Sequence, residues 1–124
     1  MKTIHPDPPF ISVIMSVYNT KYSYLDQSIS SILSQTHKSF EFIIIDDGSS
    51  FVETVDCLSR YADTDQRIKL FRLNYNIGLT SALNIALSLS SGAFIVRQDS
   101  DDISHIIRLS SLLDFLYFNP HSHL

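Results

Sequence analysis

The sequence predicts an α/β fold, with a mostly parallel open sheet and helices on both of its faces. Three observations carry that prediction. Short apolar, β-branched runs alternate along the chain with segments whose apolar residues recur at helical spacing. The run Phe40 to Asp46 contains apolar residues at successive positions, as suits a strand covered on both faces rather than on one. Two of the runs then end abruptly in acid, Asp46-Asp47 and Asp99-Ser100-Asp101-Asp102. Open α/β sheets bind ligands outside the carboxyl ends of their strands, so these acids fall where a binding crevice is expected.

Met1 to Pro9 holds three prolines and reads as an extended lead-in, with residues 10–124 as a single domain. Phe10 to Tyr18 is the first strand, ended by Asn19 and Thr20. Leu25, Ile29, Ile32 and Leu33 then share one face of a helix over Tyr24 to Gln35. The second strand, Phe40 to Asp46, is followed by Gly48, which permits a tight turn. Ser50-Phe51-Val52-Glu53 fits a capping box. Phe51, Val55, Leu58 and Ala62 mark the inward face of the helix that follows, and polar residues Asp63 to Arg67 separate it from a third strand, Ile68 to Leu73. Asn74 to Gly78 is rich in turn formers and leads into a helix from Leu79 to Leu89, with Leu79, Ala82, Leu83 and Ala86 on one face. After Gly92, Phe94-Ile95-Val96 forms a short fourth strand. Leu109, Leu112, Leu113 and Leu116 define a final helix from Ile106 to near Asn119-Pro120. No internal repeat or low-complexity segment interrupts this order.

At 124 residues with 44% hydrophobic content, the chain has enough apolar material for one core. Its net charge of -4, with Lys and Arg scattered, supplies neither the basic stripe of a nucleic-acid binder nor a polybasic membrane patch. No apolar run is long enough to span a bilayer, and Met1 to Pro9 lacks the apolar core of a signal peptide, so a cytoplasmic chain with at most peripheral membrane association is expected. Cys57 is alone, which excludes an internal disulfide, and its apolar helical surroundings mark it as a buried spectator.

Right-handed crossovers bring the ends of the first, second and fourth strands to one sheet edge, so Tyr18, Asp47 and Asp101 are expected to line one crevice. Asp99-Ser100-Asp101 places two hard oxygen donors close together in a loop, a set suited to Mg²⁺ or Mn²⁺ carrying nucleotide phosphates. Taken singly, Asp-x-Asp and Asp-Asp-Gly-Ser are common in solvated loops, and an isolated Tyr18 reads as a core aromatic. His105 beside the acidic loop reads as a surface residue at a helix start, and His121-Ser122-His123 as a frayed tail.

Several motifs in register sharpen this picture. Ser12 to Asn19, the helix motif Ser28 to Thr36, and Asp46-Asp47-Gly48-Ser49 are followed by Asn76-Ile77-Gly78-Leu79 with Ala82-Leu83-Asn84. Then come Arg97 to Ser104 and Arg108-Leu109. Together, over residues 10 to 120, they resemble the family-2 glycosyltransferases with the GT-A fold, notably those of bacterial surface polysaccharide assembly. The resemblance implies a donor site for a UDP-sugar in which Tyr18 packs against the base, Ser16 lines the same pocket and Asp47 hydrogen-bonds the uracil. It implies that Asp101 contacts a diphosphate-bound Mn²⁺ or Mg²⁺, with Asp99 nearer the ribose or sugar. Arg97 is left open between phosphate and a structural carboxylate. It further implies inverting transfer to a saccharide or lipid-linked acceptor, at the inner face of the cell membrane. Ser16 stands where the family commonly has Pro or Thr, and Ile106-Ile107 where it has Pro-Glu.

The family continues into an acceptor-binding half that supplies a carboxylate as general base, so the chain is expected to be truncated at its C-terminal end and to lack that base. Asp114, the acid that follows the loop, falls on the solvated side of the last helix. An uncovered sheet edge then favours self-association. The order of strands argues against an aspartate-nucleophile phosphatase or a phospho-acceptor receiver domain, because their acids follow other strands. The remaining alternative is a non-catalytic nucleotide-sugar-binding domain.

Overall fold

A computed structural model of the chain describes residues 10–118. The expected extended lead-in and the His121-Ser122-His123 tail lie outside the described residues. The elements run β1 (Ile11–Val17), α1 (Tyr22–Leu33), β2 (Phe40–Asp46), α2 (Val52–Thr64), β3 (Ile68–Arg72), α3 (Leu79–Leu89), β4 (Phe94–Arg97) and α4 (Arg108–Phe118). The four strands form one parallel sheet in the order β3-β2-β1-β4. β1 is therefore central, with Val17 opposite Asp46 of β2 and Ile14 opposite Arg97 of β4.

The period of two along each strand divides the core into two clusters. Ile11, Val13, Met15 and Val17 of β1 join Phe40, Phe42 and Ile44 of β2 in the larger cluster, which also takes in Leu25, Ile29 and Ile32 of α1, Cys57 and Leu58 of α2, and Leu109 and Leu113 of α4. Ile14, Ile43 and Ile45 point the other way and meet Ala82 and Ala86 of α3. Both faces of β2 are thus covered, which is why its apolar residues are continuous rather than alternating. The expected α/β fold with helices on both faces is the one found.

Some local expectations shift. Helix α1 starts at Tyr22, two residues before the expected Tyr24, and ends at Leu33 rather than Gln35. Helix α2 buries Thr54, Cys57 and Leu58, whereas Phe51, placed on the inward face by periodicity, is exposed. Leu79 is likewise exposed at the start of α3. Phe51 is the cap residue before α2 and Leu79 the first residue of α3, so both stand at helix starts rather than within the packed face. Ser50 does not form the capping box: α2 has no side-chain cap, and the backbone donors just before it are satisfied from the turn that follows β1. Asn19 Oδ1 accepts the backbone N–H groups of Ser50 and Phe51 at 2.8 and 2.9 Å.

At the amino end of the sheet, Glu41 is buried in β2 and ties three segments together. Lys69 Nζ donates to its Oε1 at 2.6 Å, while Ser12 Oγ and the Ser91 backbone and hydroxyl donate to its Oε2. Desolvation pushes this carboxyl up, but those donors outweigh it and hold the group down at about 2. No helix among the described residues is long and apolar enough to cross a membrane.

Candidate functional site

The alternation along β1 and β4 decides which side chains face the carboxyl end of the sheet on the α3 side. Ser16 follows Ile14 on that face, and Arg97 lies opposite Ile14. Beyond the strand ends these residues border a cleft of about 460 Å³, whose walls include Ser16, Lys21, Tyr24, Arg97, Asp99 and Asp101. The structure therefore brings Ser16 together with Asp99 and Asp101 across more than eighty positions of sequence, whereas Tyr18 and Asp47, expected in one crevice with Asp101, are not among the residues that border this cleft.

Tyr18 stands just beyond β1 with 53% of its surface exposed, so it is not the core aromatic that an isolated reading suggests. The residue after it, Asn19, has φ 50, a left-handed conformation that turns the chain sharply out of the strand. Asp47 begins where the β1–β2 ladder ends: its N–H donates to Val17 O at 2.7 Å. Its carboxylate is buried and engaged. Oδ1 accepts Ile77 N at 2.8 Å, and Oδ2 accepts Gly78 N and Asn76 Nδ2, each at 3.0 Å. Asp47 thus fastens the loop before α3 to the end of β2. Asp46, of opposite strand parity, faces the other way and accepts from Ser49 N and from Arg72 Nε. Gly48 makes this close approach possible: its φ is +76, and an added Cβ would lie 2.5 Å from the Tyr75 carbonyl carbon.

The acidic loop is held from below by residues that sequence reading did not single out. Gln98, of opposite parity to Arg97, points away from the cleft and is almost fully buried. Its Nε2 donates to Ser28 Oγ and to Asp102 O, and its Oε1 accepts from Ser104 Oγ and Arg108 Nη1. Ser28 Oγ donates in turn to Asp99 O at 2.8 Å, and Arg108 Nη2 to Arg97 O at 3.0 Å. Gln35 does the same for the following turn, donating to His105 O and accepting Leu109 N at the start of α4. The motif Ser28 to Thr36 and the pair Arg108-Leu109 were the available signals: Ser28, Ser31, Gln35 and Arg108 bond to the loop and the turn after it. Thr20 completes the frame, with its hydroxyl 2.6 Å from Ser100 Oγ.

Within the cleft, Arg97 Nε pairs with Asp99 Oδ1 at 2.8 Å, both side chains being about half exposed. The question left open for Arg97 is answered in this state by a carboxylate. Asp101 is exposed, and no salt bridge engages it among the described residues. Nowhere among the described residues do three His, Cys, Asp or Glu side chains come together as a self-sufficient metal site. Two carboxylates on an open loop instead fit a hard divalent ion that takes its other ligands from water and a substrate's phosphates. His105 does not reach this cleft; it borders an adjoining one of about 890 Å³ beside α4. Asp114 is exposed on α4, as expected. Cys57 is fully buried, and burial pushes its thiol up to about 11, consistent with an inert spectator.

Known proteins resemble this chain in sequence and in fold. The description of glycosyl transferase family 2 matches residues 12–124. An uncharacterized glycosyltransferase of Haemophilus influenzae is 39% identical over 113 residues, 91% of this chain and 34% of its own length. The O-antigen biosynthesis glycosyltransferase WbnJ of Escherichia coli is 41% identical over 110 residues, 88% of this chain and 42% of its own. The chain therefore spans well under half of these relatives. Among solved structures, S. aureus TarS 1-349 in complex with UDP-GlcNAc superimposes with a TM-score of 0.78 at 27% identity, over 87% of this chain and 31% of that one. The mannosyltransferase PcManGT from Pyrobaculum calidifontis, in complex with GDP-Man and Mn²⁺, gives 0.77 at 24% identity over 87% of this chain and 32% of that one, a likeness of fold. These likenesses agree with the GT-A type of sheet, and the chain belongs to glycosyl transferase family 2.

Proposed function

We propose that the chain is the donor-binding part of an inverting glycosyltransferase that takes a UDP-sugar, with Mn²⁺ or Mg²⁺, for polysaccharide or glycolipid synthesis. The observation that carries the reading is the convergence of Ser16, Asp99 and Asp101 on one cleft at the carboxyl edge of the sheet. In this reading Tyr18 offers its exposed ring to the uracil, and Ser16 lines the pocket beneath. Asp47 meets the base with the acceptor capacity its loop leaves over: a carboxylate has about four lone-pair sites, and three protein donors occupy it. Asp101 holds the metal and Asp99 lies toward the ribose or sugar, with Arg97 releasing or sharing Asp99 when donor arrives. The bound ion supplies Lewis-acid assistance to the departing diphosphate. The acceptor is a saccharide or a lipid-linked saccharide, and the chain works in the cytoplasm, at the inner membrane face when the acceptor is lipid-linked.

Calorimetric titration of UDP and GDP, with and without Mn²⁺, tests the reading. UDP is expected to bind only with metal and to be lost in Asp101→Ala, an exposed residue whose replacement leaves the fold intact. Metal-independent binding that survives Asp101→Ala would remove the proposed role of the loop.

A further inference from the structure

The candidate cleft holds two cations in its walls, and they are not equivalent. Arg97 is engaged by Asp99 at 2.8 Å. Lys21, the N-cap residue of α1, has no carboxylate partner among the described residues; its ammonium lies 5.9 Å from the centroid of the Tyr24 ring, which borders the same cleft. Its backbone position is fixed relative to the acidic loop from two sides. Thr20, immediately before it, is bonded through its hydroxyl to Ser100 at 2.6 Å, and Ser28 of the same helix holds Asp99 O at 2.8 Å. Lys21 and Asp101 are thus each one residue from a hydrogen-bonded pair, and both border the same cleft.

We propose that the Lys21 ammonium binds the diphosphate of the donor, an assignment that rests on the donor reading above. A diphosphate entering the cleft meets the carboxylates of Asp99 and Asp101, which repel it unless a divalent ion intervenes, and an ammonium that has no carboxylate partner among the described residues. Asp101 would hold the ion, and Lys21 would neutralise phosphate oxygens left over by it. Lys suits this role as a compact, mobile point charge, and the Tyr24 ring gives it a resting place without a competing carboxylate.

The test compares Lys21→Gln and Lys21→Arg with the unmodified chain, titrating UDP, uridine and inorganic pyrophosphate in the presence of Mn²⁺. Lys21→Gln is expected to weaken UDP and pyrophosphate by about tenfold, leave uridine unchanged and leave the urea midpoint unmoved, while Lys21→Arg recovers most of the loss. Equal weakening of UDP and uridine would show that Lys21 acts through the shape of the pocket and would overturn the proposal. So would undiminished UDP and pyrophosphate binding by Lys21→Gln. If the unmodified chain binds neither UDP nor pyrophosphate, the donor reading itself fails and the Lys21 assignment falls with it.

Discussion

Asp47 Oδ1 accepts the backbone N–H of Ile77 at 2.8 Å, joining the end of β2 to the loop that precedes α3. With Gly78 N and Asn76 Nδ2 on Oδ2, this buried carboxylate sets the position of a whole loop. Asp47→Ala should therefore destabilise the fold by about 2–3 kcal/mol, since it leaves buried donors without an acceptor. Urea denaturation at neutral pH checks this. A change below about 0.5 kcal/mol, the usual range for a surface substitution, would mean that the loop is held by other contacts.

Gly48→Ala acts at the same junction by another route. A left-handed φ of +76 and a Cβ placed 2.5 Å from Tyr75 backbone force the two chains apart. A cost of about 1–3 kcal/mol is expected, with the Ile77 and Gly78 amides exchanging faster with deuterium. Unchanged amide protection would refute the close approach.

Tyr18 is half-exposed, so Tyr18→Ala should leave stability nearly untouched while weakening UDP by about 1–3 kcal/mol, the range for removing a ring that stacks on a base. Paired calorimetry and denaturation distinguish the outcomes. Loss of stability without loss of affinity would return Tyr18 to a structural role.

Acid stability should depend on Glu41. Its carboxyl is held at about 2 in the folded state against an ordinary 4.5, so between those values the unfolded chain binds the proton and the folded chain does not. Its contribution is complete above about pH 4.5 and is lost as pH falls through about 2. The full shift corresponds to no more than about 3 kcal/mol, less because water screens the half-exposed Lys69. Glu41→Gln should flatten the dependence of the urea midpoint on pH across that window, and an unaltered slope would contradict the assignment.

The alternation of apolar runs and helical periodicities was enough to specify the α/β class, because strand burial and helix amphipathicity are written in neighbouring residues. The acids after β4 pointed to the cleft for a related reason: where a strand stops is a local property, and a parallel sheet places strand ends on one edge, although Asp47, at the end of β2, is taken up by the loop before α3 instead. Local pattern misled at the helix starts, as at Phe51 and Leu79, since periodicity marks a face but not the partner that would cover it.

What only the tertiary structure decided is which polar groups meet. Ser50 looked like its own helix's cap, yet Asn19, 31 positions earlier, takes the Ser50 N–H. Gln98 reaches Ser28 across 70 positions, and Gln35 reaches Leu109 across 74, so neither bond leaves a trace in local spacing. Asp47 carries no sign in the sequence that three donors from a distant loop will occupy it. A carboxylate or amide in sequence states its capacity for hydrogen bonds. Its partners are set by sheet order and by strand parity, which turns Arg97 toward the cleft and Gln98 toward the helices beneath it.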